Sequence, residues 1–262
     1  MMSRAVKALS LPNRYWQFVR GWRRFAQQSR LEQDDRFQLS WRDRMPALWE
    51  NSATTVFDAH YIYHTAWATR TVLKLKPARH VDISSTLYFC TTISASVPVN
   101  FYDYRPAPIS LDGLSCGRAD LTQLPFADSS IESLSCMHTI EHVGLGRYGD
   151  AIDPIGDLNA AAELTRVVKP GGHLVMVVPV GNPRICFNAH RVYNFAQITK
   201  MFERFSIIDT ALVTDNGEFH LNPVPEEFDS QAYGCGCFLL HKKIDCDGCS
   251  NRVEVTSTLH SA

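Results

Sequence analysis

The sequence predicts a doubly wound α/β domain on a mostly parallel, seven-stranded sheet. Three observations carry that expectation. From residue 77 onward, short apolar strand patterns alternate with helical ones. Residues 173–180 form an unbroken apolar run, as a strand buried on both faces of a parallel sheet requires. A helical stripe before them runs into Pro170, Gly171 and Gly172, which read as a helix stop.

Residues 1–31 hold seven basic side chains (Arg4, Lys7, Arg14, Arg20, Arg23, Arg24 and Arg30) and no acid, with Tyr15, Trp16, Phe18, Trp22 and Phe25 among them. A helix of this kind either lies on an anionic membrane surface or docks its aromatic face and solvates its arginines. Residues 46–76 read as one long helix, opened by Pro46 and closed before Pro77, with Trp49, Ala53, Val56, Phe57, His60, Tyr63, Trp67 and Arg70 at three- and four-residue steps. Residues 1–77 thus form a helical extension, 78–244 the α/β domain and 245–262 a polar tail. Strands are expected at 80–84, 97–103, 115–120, 131–137, 173–180, 206–213 and 234–241. Helices are expected at 86–96, after Asp157 as N-cap, and from Asn194. The second of these has the stripe Leu158, Ala161, Ala162, Leu164 and Val168.

Composition narrows the class. The chain has 262 residues, 45% hydrophobic and 20% charged, which suits a sizeable core. A net charge of −1 gives no electrostatic footprint for nucleic acid. No apolar run reaches the roughly 20 residues of a membrane-spanning helix, and no apolar signal segment opens the chain. The eight cysteines fall largely inside expected strands and helices, which suits reduced core thiols in the cytoplasm, with peripheral membrane contact through the basic N-terminus.

Three segments carry a resemblance: ADLTQLPFADSSI (119–131), HTIEH (138–142) and ELTRVVKPGG (163–172). In order and spacing they resemble the S-adenosylmethionine-dependent methyltransferase superfamily, with its Rossmann-like fold. The longer run EHVGLGRYGD (141–150), with FNAHRVY (187–193), resembles a methyltransferase-like family of bacteria and nematodes whose bacterial members are associated with surface-polysaccharide genes. The resemblance implies S-adenosylmethionine as cofactor and a carbohydrate, glycan or related small molecule as acceptor. It places Asp82 and Ser84 at the first loop, Asp103 at the ribose hydroxyls, and Asp120 with Leu121 at the adenine. The family's first strand ends in D-x-G-x-G, whereas DISST (82–86) puts Ser84 and Thr86 at the glycine positions. A threonine in a left-handed conformation is strained. Either the loop has another shape, or the cofactor sits differently, or it does not bind.

Ligands of such sheets bind beyond the carboxyl ends of the strands. Methyl transfer to a hydroxyl needs positioning and a base. His142 is the candidate base, oriented by Glu141. Arg147 and Asp150 follow in a loop with Gly144, Gly146 and Gly149, and Asn188, His190 and Arg191 come from beyond the fifth strand. The arginines suit a carboxylate or phosphate on the acceptor. The bland alternative is a structural loop in which Asp150 pairs with Arg147. Two other functions compete: a degenerate fold serving as a scaffold, and a zinc hydrolase built on His138-x-x-Glu141-His142. Cys235, Cys237, Cys246 and Cys249 could also hold structural zinc. The leading reading assigns no metal ligands.

Overall fold

A computed structural model describes residues 4–33 and 36–244; the tail 245–262, with Cys246 and Cys249, lies outside them. The helices are α1 (Arg4–Leu31), α2 (Ala59–Leu75), α3 (Leu87–Ile93), α4 (Gly156–Val167), α5 (Phe195–Met201) and α6 (Pro225–Asp229). The strands are β1 (His80–Ile83), β2 (Val99–Asp103), β3 (Leu114–Arg118), β4 (Ile131–Met137), β5 (Val168–Val180), β6 (Arg184–Cys186), β7 (His190–Val192), β8 (Phe205–Val213), β9 (Phe219–Leu221) and β10 (Gly234–Lys242). The described residues form two compact units that divide between Phe57 and Asp58. In the first, α1 lies against the 3₁₀ turn Trp41–Asp43, with the Trp22 and Trp41 rings 5.2 Å apart, and Arg14 donates to Leu48 O. No helix among the described residues is long and apolar enough to cross a membrane.

The second unit is the α/β domain. Its sheet has the order β3-β2-β1-β4-β5-β10-β8-β9. β1 to β5 run parallel, and β10 lies antiparallel between β5 and β8. The sheet has eight strands rather than seven: β9 pairs on the outer edge of β8, and β6 and β7 form a separate hairpin. Three-residue strands without apolar alternation leave little trace in a sequence.

Alternate residues of β5 feed two cores, as its continuous apolar run requires. Leu174, Met176, Val178 and Val180 pack with α4, α5 and α6 through Leu164, Ile198 and Phe228. Val175 and Val177 pack with α2 and α3 through Trp67, Val72, Phe89 and Ile93. Each fully buried side chain of this size contributes about 2 kcal/mol.

Several boundaries depart from expectation. α2 begins at Ala59 and not at Pro46, because Asp58 caps it by accepting from Tyr61 N at 3.2 Å; Trp49, Ala53, Val56 and Phe57 precede it. It closes at Lys76 in a left-handed conformation (φ 48°). Asp157 is not an N-cap. It sits buried in the first turn of α4, where it accepts from Tyr193 OH at 3.0 Å. The buried face of α4 is accordingly Ala160, Ala161, Leu164 and Val167, with Leu158 and Ala162 exposed. α4 stops at Val167, and β5 starts at once and runs through Lys169, Pro170, Gly171 and Gly172. Lys242 Nζ terminates α4 by donating to Thr165 O and Val168 O, both at 2.6 Å.

Two of the quoted motifs lock each other. Arg166 donates to both oxygens of Glu163, and also to Leu124 O, Phe126 O and Asp128 Oδ1. Glu163 Oε2 accepts from Leu124 N at 2.7 Å. The Arg166 guanidinium holds the Glu163 carboxyl below its ordinary range. The segment between β3 and β4 is thereby fixed against α4.

A buried polar chain joins β1 to β4. Ser133 Oγ and Ser135 Oγ flank the His80 ring at 2.8 Å on Nδ1 and Nε2, and Ser135 Oγ donates to Asp82. Burial pushes the His80 imidazole down to about 3, and burial does the same to His64 in α2. Between that value and about 6.5 the unfolded chain binds protons that the folded chain refuses, so these histidines lower stability as pH falls through the window. Burial raises the Asp82 carboxyl, and this single group acts in the opposite sense. The urea midpoint is therefore expected to fall between pH 6.5 and pH 4, less steeply in His80→Asn, as followed by circular dichroism.

Candidate active site

The chain order reverses at β1, which has β2 and β3 on one side and β4 and β5 on the other. Loops leaving the carboxyl ends of β1 and β4 diverge there and open a crevice.

At the end of β1, Ser84 has φ 56°. Its N–H donates to Tyr102 O at 2.7 Å, and its own carbonyl accepts from Thr139 Oγ1 at 3.0 Å. Thr86 is not left-handed; it has φ −66° and caps α3 by accepting from Tyr88 N. The turn thus keeps its left-handed residue at Ser84 alone, and the strain expected of Thr86 does not arise. Asp82, expected at the cofactor, is 0% exposed and lines neither of the crevice's two cavities. It accepts from Ser85 N at 3.0 Å and from Ser135 Oγ, and so braces the turn from beneath.

Ser84, Asp103, Asp120 and Leu121 line one cavity of about 360 Å³. Oδ1 of Asp103 accepts from Arg105 N, and Oδ1 of Asp120 accepts from Thr122 N and Oγ1. Among the described residues no donor reaches Oδ2 of either acid. Arg105 lies 4.7 Å over the Tyr148 ring, joining the loop after β2 to the glycine loop. A second cavity of about 490 Å³ adjoins the first and shares Ser84, His138, His142 and Tyr148 with it. His60, Tyr61, Glu141, Arg147, His190 and Tyr233 complete much of its wall.

His142 sits at the end of the 3₁₀ turn Ile140–His142. Its Nδ1 donates to Ala189 O at 2.6 Å, which leaves Nε2 as the acceptor nitrogen, 3.7 Å from Glu141 Oε1. Burial lowers its pKa, against the pull of Glu141. The ring is therefore neutral at neutral pH, and the carboxylate is placed to stabilise it once protonated. Glu141 is 1% exposed; its Oε1 accepts from His138 Nδ1 at 3.1 Å, and its Oε2 has no partner among the described residues. Burial disfavours charge on His138, but Cys235 and Glu141 beside it raise its pKa. Burial also lowers the pKa of His190, whose ring lies 4.8 Å from Tyr233.

Two expected site residues have other work, and a third lies outside the cavities. Asp150 borders the first cavity, yet its Oδ2 accepts from Gly144 N and Gly146 N and its Oδ1 from Tyr148 N. Burial opposes its charge, but these amides hold the carboxyl below its ordinary range. It closes the glycine loop and does not pair with Arg147, which donates to Ala189 O. Arg191 is 4% exposed and lines neither cavity. Its guanidinium donates to Val143 O at 2.6 Å, reaches the carbonyls of Glu141, Asp153 and Pro154, and lies 3.5 Å from Asp157 Oδ1. It has no donors left for an acceptor. Asn188 is exposed beyond both cavities.

The zinc-hydrolase geometry is absent among the described residues. A single 3₁₀ turn forms, and the two Nδ1 atoms of His138 and His142 are taken by Glu141 and Ala189 O. Sequence reasoning missed His60, Tyr61 and Tyr233 as cavity residues. His60 lies on the periodic stripe of α2 and so reads as core; the unusual density of His60, Tyr61, Tyr63 and His64 was the available signal.

The left-handed Ser84 is directly testable. Ser84→Gly should raise stability by up to about 1 kcal/mol, and Ser84→Val should lower it by about 2 kcal/mol. Equal urea midpoints for the two variants would remove the left-handed assignment.

A family model described as a Caenorhabditis protein of unknown function, DUF268, matches residues 126–232, which include both cavity-lining loops after β4 and β5. No curated protein matches the sequence. Among solved structures, the chain is similar to the Burkholderia thailandensis 1,6-didemethyltoxoflavin-N1-methyltransferase with bound S-adenosylhomocysteine (TM-score 0.52, 13% identity, 93% of this chain and 92% of that one). It is similar to the N-methyltransferase NodS of Bradyrhizobium japonicum in complex with S-adenosylhomocysteine (TM-score 0.51, 13% identity, 74% and 91%). It is also similar to the [4+2]-cyclase SpnF (TM-score 0.50, 13% identity, 75% and 86%). At such identities the likeness is one of fold: this chain has the Rossmann-like fold of S-adenosylmethionine-dependent methyltransferases.

Proposed function

We propose that this protein transfers a methyl group from S-adenosylmethionine to a hydroxyl oxygen of a carbohydrate, glycan or related small molecule. The observation that carries the proposal is the pair of adjoining cavities, with carboxylates in one and a neutral, oriented imidazole between the two. The first cavity suits the cofactor. Asp103 would take the ribose hydroxyls and Asp120 the adenine amine, each through its uncommitted Oδ2, with Leu121 against the ring and the Ser84 turn beside the methionine end. When bound, S-adenosylmethionine supplies an electrophilic methyl on a sulfonium, open to in-line displacement.

The chain's own residues supply the rest. His142 Nε2 accepts the proton of the acceptor hydroxyl, and Glu141 stabilises the imidazolium that results. Ala189 O holds the ring in the tautomer this needs. Arg147, Tyr61 and Tyr233 offer polar and aromatic surface to a hydroxyl-rich acceptor in the second cavity. Arg105 stacked on Tyr148 borders the first cavity. The glycan class rests on the resemblance of the EHVGLGRYGD run, which lies in the segment matched by the DUF268 model. The exposed Trp16 and Phe25 among the arginines of α1 support contact with an anionic membrane surface in the cytoplasm.

Calorimetric titration of the full chain with S-adenosylmethionine and S-adenosylhomocysteine tests the central claim. Binding by the wild type, weakened at least about tenfold in Asp103→Ala by loss of a charge-assisted hydrogen-bond pair, is the expected result. A folded wild type that binds neither ligand would leave the scaffold reading in its place. For α1, co-flotation with anionic but not neutral vesicles is expected, and equal flotation with both would discard the electrostatic contact.

A further inference from the structure

Two histidines in the wall of the second cavity, His60 and His138, join the buried Cys235 behind them in a cluster that methyl transfer does not use. His60 from the first turn of α2, His138 from the end of β4 and Cys235 from the start of β10 place their donor atoms within 4.8 Å of one another. These elements are far apart in sequence and meet only through the fold, β4 and β10 in one sheet and α2 packed against it. His138 Nε2 lies 3.4 Å from Cys235 Sγ. Two ligands on one tetrahedral zinc, at bond lengths of about 2.3 Å to sulfur and 2.0 Å to nitrogen, stand about 3.5 Å apart. The other nitrogen of His138 donates to Glu141 Oε1 at 3.1 Å. A carboxylate behind a ligating imidazole is the arrangement that fixes the ring and raises its basicity at metal centres. His138 is also held at φ 53°, an uncommon conformation for a residue with a side chain, at the point where β4 delivers it.

Charge provides a second, independent observation. Glu141 is buried and its Oε2 lacks any partner among the described residues, which is costly for a carboxylate. A divalent cation on one thiolate and two neutral imidazoles carries one net positive charge, and the adjacent Glu141 carboxylate cancels it. From this geometry and charge balance we infer that His60, His138 and Cys235 bind a single zinc ion, with a fourth position left for water or a hydroxyl ligand. Binding ionises the Cys235 thiol and releases its proton to solvent. Nitrogen and sulfur donors in this number select zinc over magnesium or calcium, which take oxygen. Three protein ligands and one open position are the pattern of reactive rather than purely structural zinc. The Cys-His pairing has a competing use as a nucleophile and base, but Cys235 is 0% exposed and offers a substrate no approach.

Zinc binding is read directly on the chain, so its test needs no methyl acceptor. The full chain, purified with zinc in the medium and dialysed against metal-free buffer, should retain about one zinc per chain by elemental analysis. Replacement by cobalt(II) should give a thiolate-to-cobalt charge-transfer band and the intense visible bands of four-coordinate cobalt. Cys235→Ser should abolish the charge-transfer band. Glu141→Gln, which keeps a hydrogen-bond acceptor but not the charge, should weaken zinc binding about ten- to a hundredfold. His60→Asn, half-buried at a helix start, guards against simple misfolding: it should lose zinc while its circular dichroism stays native. A folded wild type without retained zinc and without the charge-transfer band would overturn the inference, and so would zinc that survives in both His60→Asn and Cys235→Ser.

Discussion

The buried Asp82 carboxylate is the constraint on which the crevice depends. A carboxylate taken wholly out of water must be met by donors or it destabilises the fold. Ser85 N–H and Ser135 Oγ meet it, from the turn after β1 and from the middle of β4. These two bonds fix the separation of the strands at the point where the sheet order reverses. Ser85 then returns the tie, because its Oγ accepts from Met137 N at the end of β4. The turn that carries Ser84 is thus held from both sides, which is what permits a serine to keep a left-handed conformation usually left to glycine.

Two arginines extend this logic outward. Arg166 and Glu163 fasten the segment that presents Asp120 and Leu121, while Arg191 fastens the segment from Glu141 to Pro154 that presents His142. Arg191 spends its donors mostly on backbone carbonyls, and Arg166 divides its own between backbone carbonyls and the carboxylates of Glu163 and Asp128. Irregular backbone near a core leaves carbonyls without partners, and a planar group with five donors can satisfy several at once. The side chains that face the cavities, Asp103, Asp120, His142 and Arg147, belong to loops whose shape is set by residues that face away from them.

The sequence made the domain legible because burial imposes periodicity. The apolar run of β5, the cap Asn194 on α5 and the order of strands and helices all follow from local chemistry. The short edge elements β6, β7 and β9 were not legible, since three residues are too few to show a period. The start of α2 was misplaced because apolar spacing continues upstream of Asp58, and only the cap ends it. At the site, Ser84, Asp103, Asp120, Leu121, Glu141, His142, Arg147 and His190 line the two cavities as a group. Asp82, Asp150 and Arg191 had the right chemistry for ligand contact but proved to be braces. Residue type and strand-end position cannot separate a carboxylate that faces a ligand from one that holds the loop behind it; only the partners of its oxygens can.

Glu141 shows how far one side chain can couple these parts. Its Oε1 lies 3.1 Å from His138 Nδ1 and 3.7 Å from His142 Nε2, so the same negative charge faces two imidazoles that border both cavities. A cation on His138 draws on that charge and leaves less of it for His142. Loss of the cation returns that charge to both rings. Two sites that share one buried carboxylate cannot be independent: their electrostatic coupling is largely unscreened by water, because Glu141 is almost wholly inaccessible. Linkage then requires reciprocity, so protonation of His142 must disturb whatever His138 holds by the same free energy with which His138's partner disturbs the proton on His142.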